Sequence, residues 1–291
     1  MRIAILSRNP ALYSTQSLYL AARRRGHQVR VIDHMLCDLF IGEKGLDIFY
    51  FGEKIVGVDA IIPRIGASAT SYGAAIVRQF EMQDVFSVVS SETLLKCRDK
   101  RTCLQHLCAQ GILIPDSVIT NNAQELRSSI QKVGPAPVII KLLNSTQGLG
   151  VVLGETENSA ESIMEAFLQT GEKVILQEFI REVNGSDIRV FIIDNKIIAT
   201  MERVAPPGEF RSNLHRGAAA RQIYLNENEC AVALKAAQVM GLQVAGVDLL
   251  RSQKGPMILE VNASPGLEGI EGTSGKDVAS KIIQFIERNA G

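Results

Sequence analysis

Two apolar runs near the C-terminus, residues 244–250 and 257–262, read as buried β-strands, yet each carries an acid in its interior, Asp248 in the first and Glu260 in the second. Apolar strands of this kind must be covered on at least one face, and an uncompensated carboxylate there is costly. Glu260 and Asn262 are two residues apart, so they share a sheet face. The link over residues 251–256 is short and contains Gly255, which predicts a hairpin with Asp248 close to Glu260. Two buried carboxylates side by side call for cations or donors. An all-oxygen set from Asp248, Glu260 and Asn262 suits magnesium or manganese better than zinc, and Mg²⁺ commonly binds one or two carboxylates plus substrate phosphates. One such acid could be a structural accident; three oxygen ligands on one face point to a metal site.

The rest of the chain supplies the setting. Residues 3–6, 29–32 and 60–63 read as short strands and residues 14–25 as a helix closed by Gly26, a small α/β lobe over residues 1–95. Within it, residues 48–51 and 54–56 flank Gly52-Glu53 at hairpin spacing. A helix over 98–110, a strand at 118–119, a helix over 123–133 and the β run 138–140 make a second lobe, 96–180. The third, 181–291, has strands at 188–193 and 197–202 besides the two that open this section, following one at 174–177. Its helices, 227–240 and 276–288, are expected on one face of an antiparallel sheet. The fold class is therefore α/β, with α+β lobes.

Composition narrows the function. With 31 Lys plus Arg against 31 Asp plus Glu, the chain has no broad basic face for nucleic-acid phosphates. The apolar run before Ser7 is too short for a signal core or a membrane span. Five cysteines without a Cys-x-x-Cys argue against a disulfide framework or a zinc knuckle, so the expectation is a reduced, cytoplasmic enzyme with no membrane or nucleic-acid contact. The histidines show no His-Glu-x-x-His spacing.

Phosphate binding by a standard motif is absent: no Gly-x-Gly-x-x-Gly follows a strand, and Gly275-Lys276 lacks the rest of a P-loop. Lys141 instead ends the apolar run 138–140 and precedes a glycine loop, Ser145 to Gly150. A lysine so placed offers a phosphate a point charge beside close backbone N–H groups; a plain strand-end lysine with a turn accounts for the pattern equally. Lys100, at a helix start, could reach the same phosphate, though alone it reads as surface. Arg189 and Arg203 interrupt apolar β runs, where a bidentate anion is the natural partner and a salt bridge to Glu202 or Asp187 the alternative.

In chain order these features resemble the ATP-grasp superfamily. The resemblance narrows at Pro63-Arg64-Ile65-Gly66, Arg78-Gln79-Phe80-Glu81, Phe210 to Gly217, and Glu260 to Glu271, which look like the RimK-type α-L-glutamate ligases over nearly the whole chain. It implies an ATP-grasp fold with an N-terminal pre-ATP-grasp lobe, and addition of glutamate to the C-terminal tail of a small-subunit ribosomal protein through an acyl phosphate, with poly-α-glutamate as a product. It further implies ATP contacts at Lys100, Lys141, Glu178, Phe179, Asp187, Arg211, Ser212 and Asn213, with Arg203 and Lys141 in catalysis. Two Mg²⁺ or Mn²⁺ ions per subunit at Asp248, Glu260 and Asn262, and a homo-oligomer, a tetramer, follow from it too. Pro206-Pro207 and Ala218 depart from the family pattern and bear on loop mobility and acceptor choice. An ATP-grasp ligase for a small molecule or dipeptide, and a silent nucleotide-binding regulator, are the competing readings.

Overall fold

The structure, a computed structural model, describes residues 1–43, 45–143, 150–214 and 217–291. Its N-terminal part runs β1 (Arg2–Leu6), α1 (Tyr13–Arg24), β2 (Gln28–Ile32), β3 (Cys37–Gly42), β4 (Gly45–Tyr50), β5 (Glu53–Lys54), β6 (Ala60–Pro63), α2 (Thr70–Glu81) and β7 (Phe86–Ser87). Strands β2-β1-β6-β7 form a parallel sheet. Alternation along β1 explains its two covers: Ile3 and Ile5 pack with Leu18 and Ala22 of α1, Ala4 and Leu6 with Ile76 and Phe80 of α2. The expected hairpin exists, but its turn is Phe51-Gly52, both at positive φ, one residue earlier than the spacing predicts. It belongs to a meander that β3, unforeseen from the sequence, completes.

The helix expected over 98–110 is α4 (Lys100–Ala109), and it follows a helix unforeseen from the sequence, α3 (Ser91–Arg98). Asp99 between them is extended, φ −82° and ψ 105°, and caps α4 by accepting from the N–H groups of Arg101 (2.9 Å) and Thr102 (3.5 Å). An aspartate that satisfies orphan N–H donors starts a new helix more favourably than it continues an old one. The break sets Lys100 at the first position of α4.

Next come β8 (Ser117–Thr120), α5 (Leu126–Val133), β9 (Val138–Leu142), β10 (Val151–Gly154), α6 (Glu157–Gln169) and β11 (Val174–Glu178), forming an antiparallel sheet ordered β10-β9-β11-β8. The first turn of the helix expected over 123–133 is a 3₁₀ turn, Ala123–Glu125. Val138, Ile140, Val174 and Leu176 bury against Ile130 and Met164 of α5 and α6. The opposite face of β9 and β11 therefore carries Lys141, Ile175 and Gln177.

The last sheet, β14-β13-β12-β15-β16, is antiparallel throughout and consists of β12 (Ser186–Ile193), β13 (Lys196–Val204), β14 (Ala219–Gln222), β15 (Val244–Ser252) and β16 (Gly255–Asn262). Helices α7 (Glu227–Met240), α8 (Glu268–Ser274) and α9 (Val278–Asn289) accompany it. They cover both faces, not one as expected. Ile188, Val190, Ala245, Val247 and Leu249 pack with Ala233 and Ala236 of α7, whereas Phe191, Ala199 and Met201 pack with Ile282 and Ile286 of α9. Central strands apolar in both registers need two covers, and each buried Ile contributes roughly 1.5–3 kcal/mol. The face shared with Phe191 and Met201 is the one on which Asp187, Arg189, Arg203 and Asp248 fall by alternation. Among the described residues no helix is long and apolar enough to cross a membrane.

Candidate active site

On the face of the central sheet away from α5 and α6, Lys141 stands in register with Val151 and Ile175 and donates to Gln177 Oε1 at 2.5 Å. Gln177 in turn donates to Ser117 Oγ at 2.9 Å. Burial pushes the Lys141 ammonium down to about 8, with the Glu260 carboxylate opposing that shift and Lys100 adding to it. Lys100 reaches over from α4, its Nζ donating to Leu143 O at 3.1 Å; burial lowers its pKa as well, again against Glu260. The structure thus brings Lys100 to the end of the strand that bears Lys141, with the Glu260 carboxylate near enough to act on the charge of both. The glycine loop expected to face them lies outside the described residues except for Gly150, whose carbonyl accepts from Leu142 N at 2.9 Å.

Glu178 and Phe179 lie where the chain leaves β11 for the C-terminal sheet. Glu178 N donates to Asp116 O at 2.8 Å, and its carboxylate accepts from Lys254 Nζ at 3.3 Å and Asp116 N at 3.4 Å. Arg211 forks onto Glu209 (2.9 and 2.7 Å), which it holds at about 2, and reaches Val151 O at 3.3 Å. Ser212 is buried and its hydroxyl hydrogen-bonds the Asp187 carboxylate. Asn213 is half-buried beside it.

Across the C-terminal sheet the register sets Asp187 opposite Arg203, Arg189 opposite Asp248, and Asp248 opposite Glu260. Arg203 bonds Asp187 with Nε (2.6 Å) and Nη2 (2.5 Å) and reaches Asp248 Oδ2 at 3.1 Å. Arg189 grips Asp248 through Nε to Oδ1 and Nη2 to Oδ2, the latter at 2.6 Å. Burial penalises Asp248's charge, but Arg189 and Arg203 outweigh it and hold the carboxyl low; likewise the two aspartates hold Arg203 above its ordinary value. The anion that Arg189 and Arg203 require is therefore supplied by the chain itself. Glu202, one offered partner, falls on the other face and pairs with Arg221 at 2.6 Å.

The expectation of two buried carboxylates side by side is corrected here: Asp248 is buried and matched by guanidinium groups, while Glu260 is exposed. No cation among the described residues lies within ion-pairing distance of Glu260, and Asn262 Nδ2 is buried without a hydrogen-bond partner among them. Glu260 and Asn262 offer an oxygen set that fits a hard divalent ion, and Asp248 adjoins it by register with its oxygens engaged by arginine. Among the described residues no three His, Cys, Asp or Glu converge, so such an ion needs oxygens from a bound substrate as well, as Mg²⁺ commonly does. Sequence reasoning missed Gln177 and Glu209 as partners of Lys141 and Arg211; a glutamine inside the apolar strand β11 was the available signal for the first.

A parallel-sheet lobe followed by two antiparallel lobes that converge lysines, acids and arginines defines the ATP-grasp class. The chain matches the RimK PreATP-grasp domain over residues 1–94 and the RimK-like ATP-grasp domain over residues 97–286, and it belongs to this family. It is 52% identical over 290 residues to a probable alpha-L-glutamate ligase of Nitrosococcus oceani, covering 100% of this chain and 96% of the relative. A protein of the same description from Cellvibrio japonicus is equally similar, 52% over 290 residues and the same coverage. Among solved structures, the ATP-grasp ligase PsnB with a minimal precursor variant, Mg and ADP superposes with a TM-score of 0.76 at 22% identity, covering 100% of this chain and 98% of that one.

Proposed function

We propose that this enzyme joins the amine of glutamate to a terminal α-carboxylate, converting ATP to ADP and phosphate. The observation that carries this reading is the placing of Lys100 at the end of the strand that bears Lys141, with Glu260 acting on the charge of both, in a chain 52% identical to a probable alpha-L-glutamate ligase. A carboxylate is a poor electrophile, so it must first gain a better leaving group. An acceptor carboxylate oxygen attacks the γ-phosphorus of ATP, the bond to ADP breaks, and an acyl phosphate forms. The glutamate amine then adds to the acyl carbon, loses a proton, and expels phosphate.

Lys141 and Lys100 hold phosphate oxygens, and Arg203, oriented by Asp187 and Asp248, offsets charge on the transferred group. Glu178 and Phe179 line the adenine; Asp187, Arg211, Ser212 and Asn213 complete the nucleotide contacts. Asp248, Glu260 and Asn262 would hold two Mg²⁺ or Mn²⁺ ions, which when bound neutralise phosphate charge. The working division of the chain is a pre-ATP-grasp lobe over 1–95, a central lobe over 96–180 and a C-terminal lobe over 181–291, with nucleotide between the last two. The acceptor is the C-terminal tail of a small-subunit ribosomal protein, extended into poly-α-glutamate by subunits that associate as a homo-oligomer, a tetramer.

The test is incubation with ATP, Mg²⁺, glutamate and small-subunit ribosomal proteins, read by intact-protein mass. One protein should gain whole glutamyl increments. ADP release with free glutamate or a dipeptide and no mass gain on any ribosomal protein would replace this reading with a small-molecule ligase.

A further inference from the structure

In open α/β sheets ligands bind beyond the carboxyl ends of the strands. At that edge of the N-terminal sheet, Arg8 follows β1 and Arg64 follows β6, while Arg98 ends α3 nearby. Arg64 Nη1 donates to Pro265 O at 2.9 Å, and Arg98 Nη2 donates to Ile65 O at 2.6 Å. Arg8 Nη2 donates to Ser68 Oγ at 3.1 Å, and a Cβ built on Gly66 would stand 3.8 Å from it. Two of these arginines are half-buried and Arg8 is exposed.

None of the three has a carboxylate within ion-pairing distance among the described residues, and no position outside the described ones is acidic. The contrast within the molecule is direct: Arg189 and Arg203, also out of water, each hold an aspartate. Among the described residues, Arg64 and Arg98 have only backbone carbonyls as hydrogen-bond partners, which satisfy donors without neutralising charge. Burial, and after it the neighbouring charge of Arg98, together lower Arg64 to about 10; burial also lowers Arg98, with Glu260 opposing. Glu260 is the group that also acts on Lys100 and Lys141. Arg98 stands two residues before Lys100, whose Nζ lies 3.1 Å from Leu143 O just beyond Lys141's strand, so the arginine cluster adjoins the lysines assigned to phosphate.

We propose that Arg64 and Arg98, with Arg8 at the rim, bind the carboxylates of a glutamate at the reacting centre, either the free amino acid or the glutamate that ends the acceptor. This rests on the ligase reading and supplies its substrate site. The guanidinium fork matches a carboxylate bidentately, and beside Glu260 it would hold the glutamyl group next to the phosphates. It also selects glutamate over glutamine, because a neutral amide leaves a guanidinium out of water without a counter-charge.

Steady-state kinetics on Arg98→Gln, Arg64→Lys and the exposed Arg8→Gln test the site, with free glutamate varied at saturating acceptor and acceptor varied at saturating glutamate. A KM rise of roughly ten- to a hundredfold is expected for Arg98→Gln, as a lost charge-assisted bond predicts, with the rise from ATP-induced thermal stabilisation unchanged. Arg64→Lys keeps the charge and loses the fork, so it should raise the same KM while folding. Whichever KM rises identifies the free or the acceptor glutamate as occupant. Unchanged KM values for both, or a parallel rise in KM for ATP, would overturn the proposal. If the parent protein turns over no glutamate, the ligase reading falls and this site falls with it; normal turnover by parent and variants alike sinks the site alone.

Discussion

Arg189 on β12 and Asp248 on β15 stand directly opposite each other across antiparallel strands, and both oxygens of the Asp248 carboxylate lie on the Arg189 guanidinium. With Arg203 and Asp187 they form a line of alternating charge along the sheet face. Such a network costs desolvation when assembled but is much costlier to break from one side.

Arg189→Leu should therefore destabilise the protein by on the order of 3 kcal/mol, because Asp248 is left buried with only Arg203. Thermal or urea unfolding of the ligand-free protein reads this directly. A loss below about 1 kcal/mol would mean that the pair is incidental to stability.

If Lys141 holds a nucleotide phosphate, its lowered pKa gives ATP binding a pH dependence. The ammonium is present below about 8 and lost above it, so ATP affinity should fall as pH rises through about 8. Lys141→Arg, which stays charged, should flatten that limb of the titration. The nucleotide-free protein moves in the opposite sense: between about 8 and the ordinary 10.5, the unfolded chain holds a proton that the folded one has released, so this group's contribution to stability rises with pH. Affinity unchanged across this range in the parent protein would remove Lys141 from the phosphate site.

Glu260→Gln should leave the melting temperature close to that of the parent, since the carboxylate is exposed and has no cation partner among the described residues. Turnover should drop by about a hundredfold or more, because a neutral amide cannot replace a carboxylate toward hard cations. Full activity of this variant, or of the parent in excess chelator, contradicts the metal assignment.

If the acceptor's terminal α-carboxylate is the group phosphorylated, a peptide ending in glutamate should be extended when its C-terminus is free and left untouched when it is amidated. Both peptides keep their γ-carboxylates. Equal extension, read by mass, would mean γ-linked branching in place of α-linked growth.

Sequence alone carried what depends on neighbours along the chain. The helix Glu227–Met240 and the strand Ala60–Pro63 occupy the residues that periodicity predicts, and the Asp248–Glu260 hairpin follows from a short loop between two apolar runs. Other local features resisted reading: the helix Ser91–Arg98 went unread, and Asp99 divides it from the next helix by side-chain capping. Tertiary structure decided how charges are matched. Arg189 and Asp248 are 59 residues apart, Arg64 and Pro265 are 201 apart, and only strand order and lobe packing bring such pairs together. Which carboxylate is buried against guanidinium, Asp248, and which faces water, Glu260, was equally invisible in two runs of nearly identical apolar character. Periodicity determines which face a residue occupies, because the backbone repeat is local; what lies opposite that face, and hence whether its charge is already neutralised or still open to a ligand, is set by contacts between distant segments.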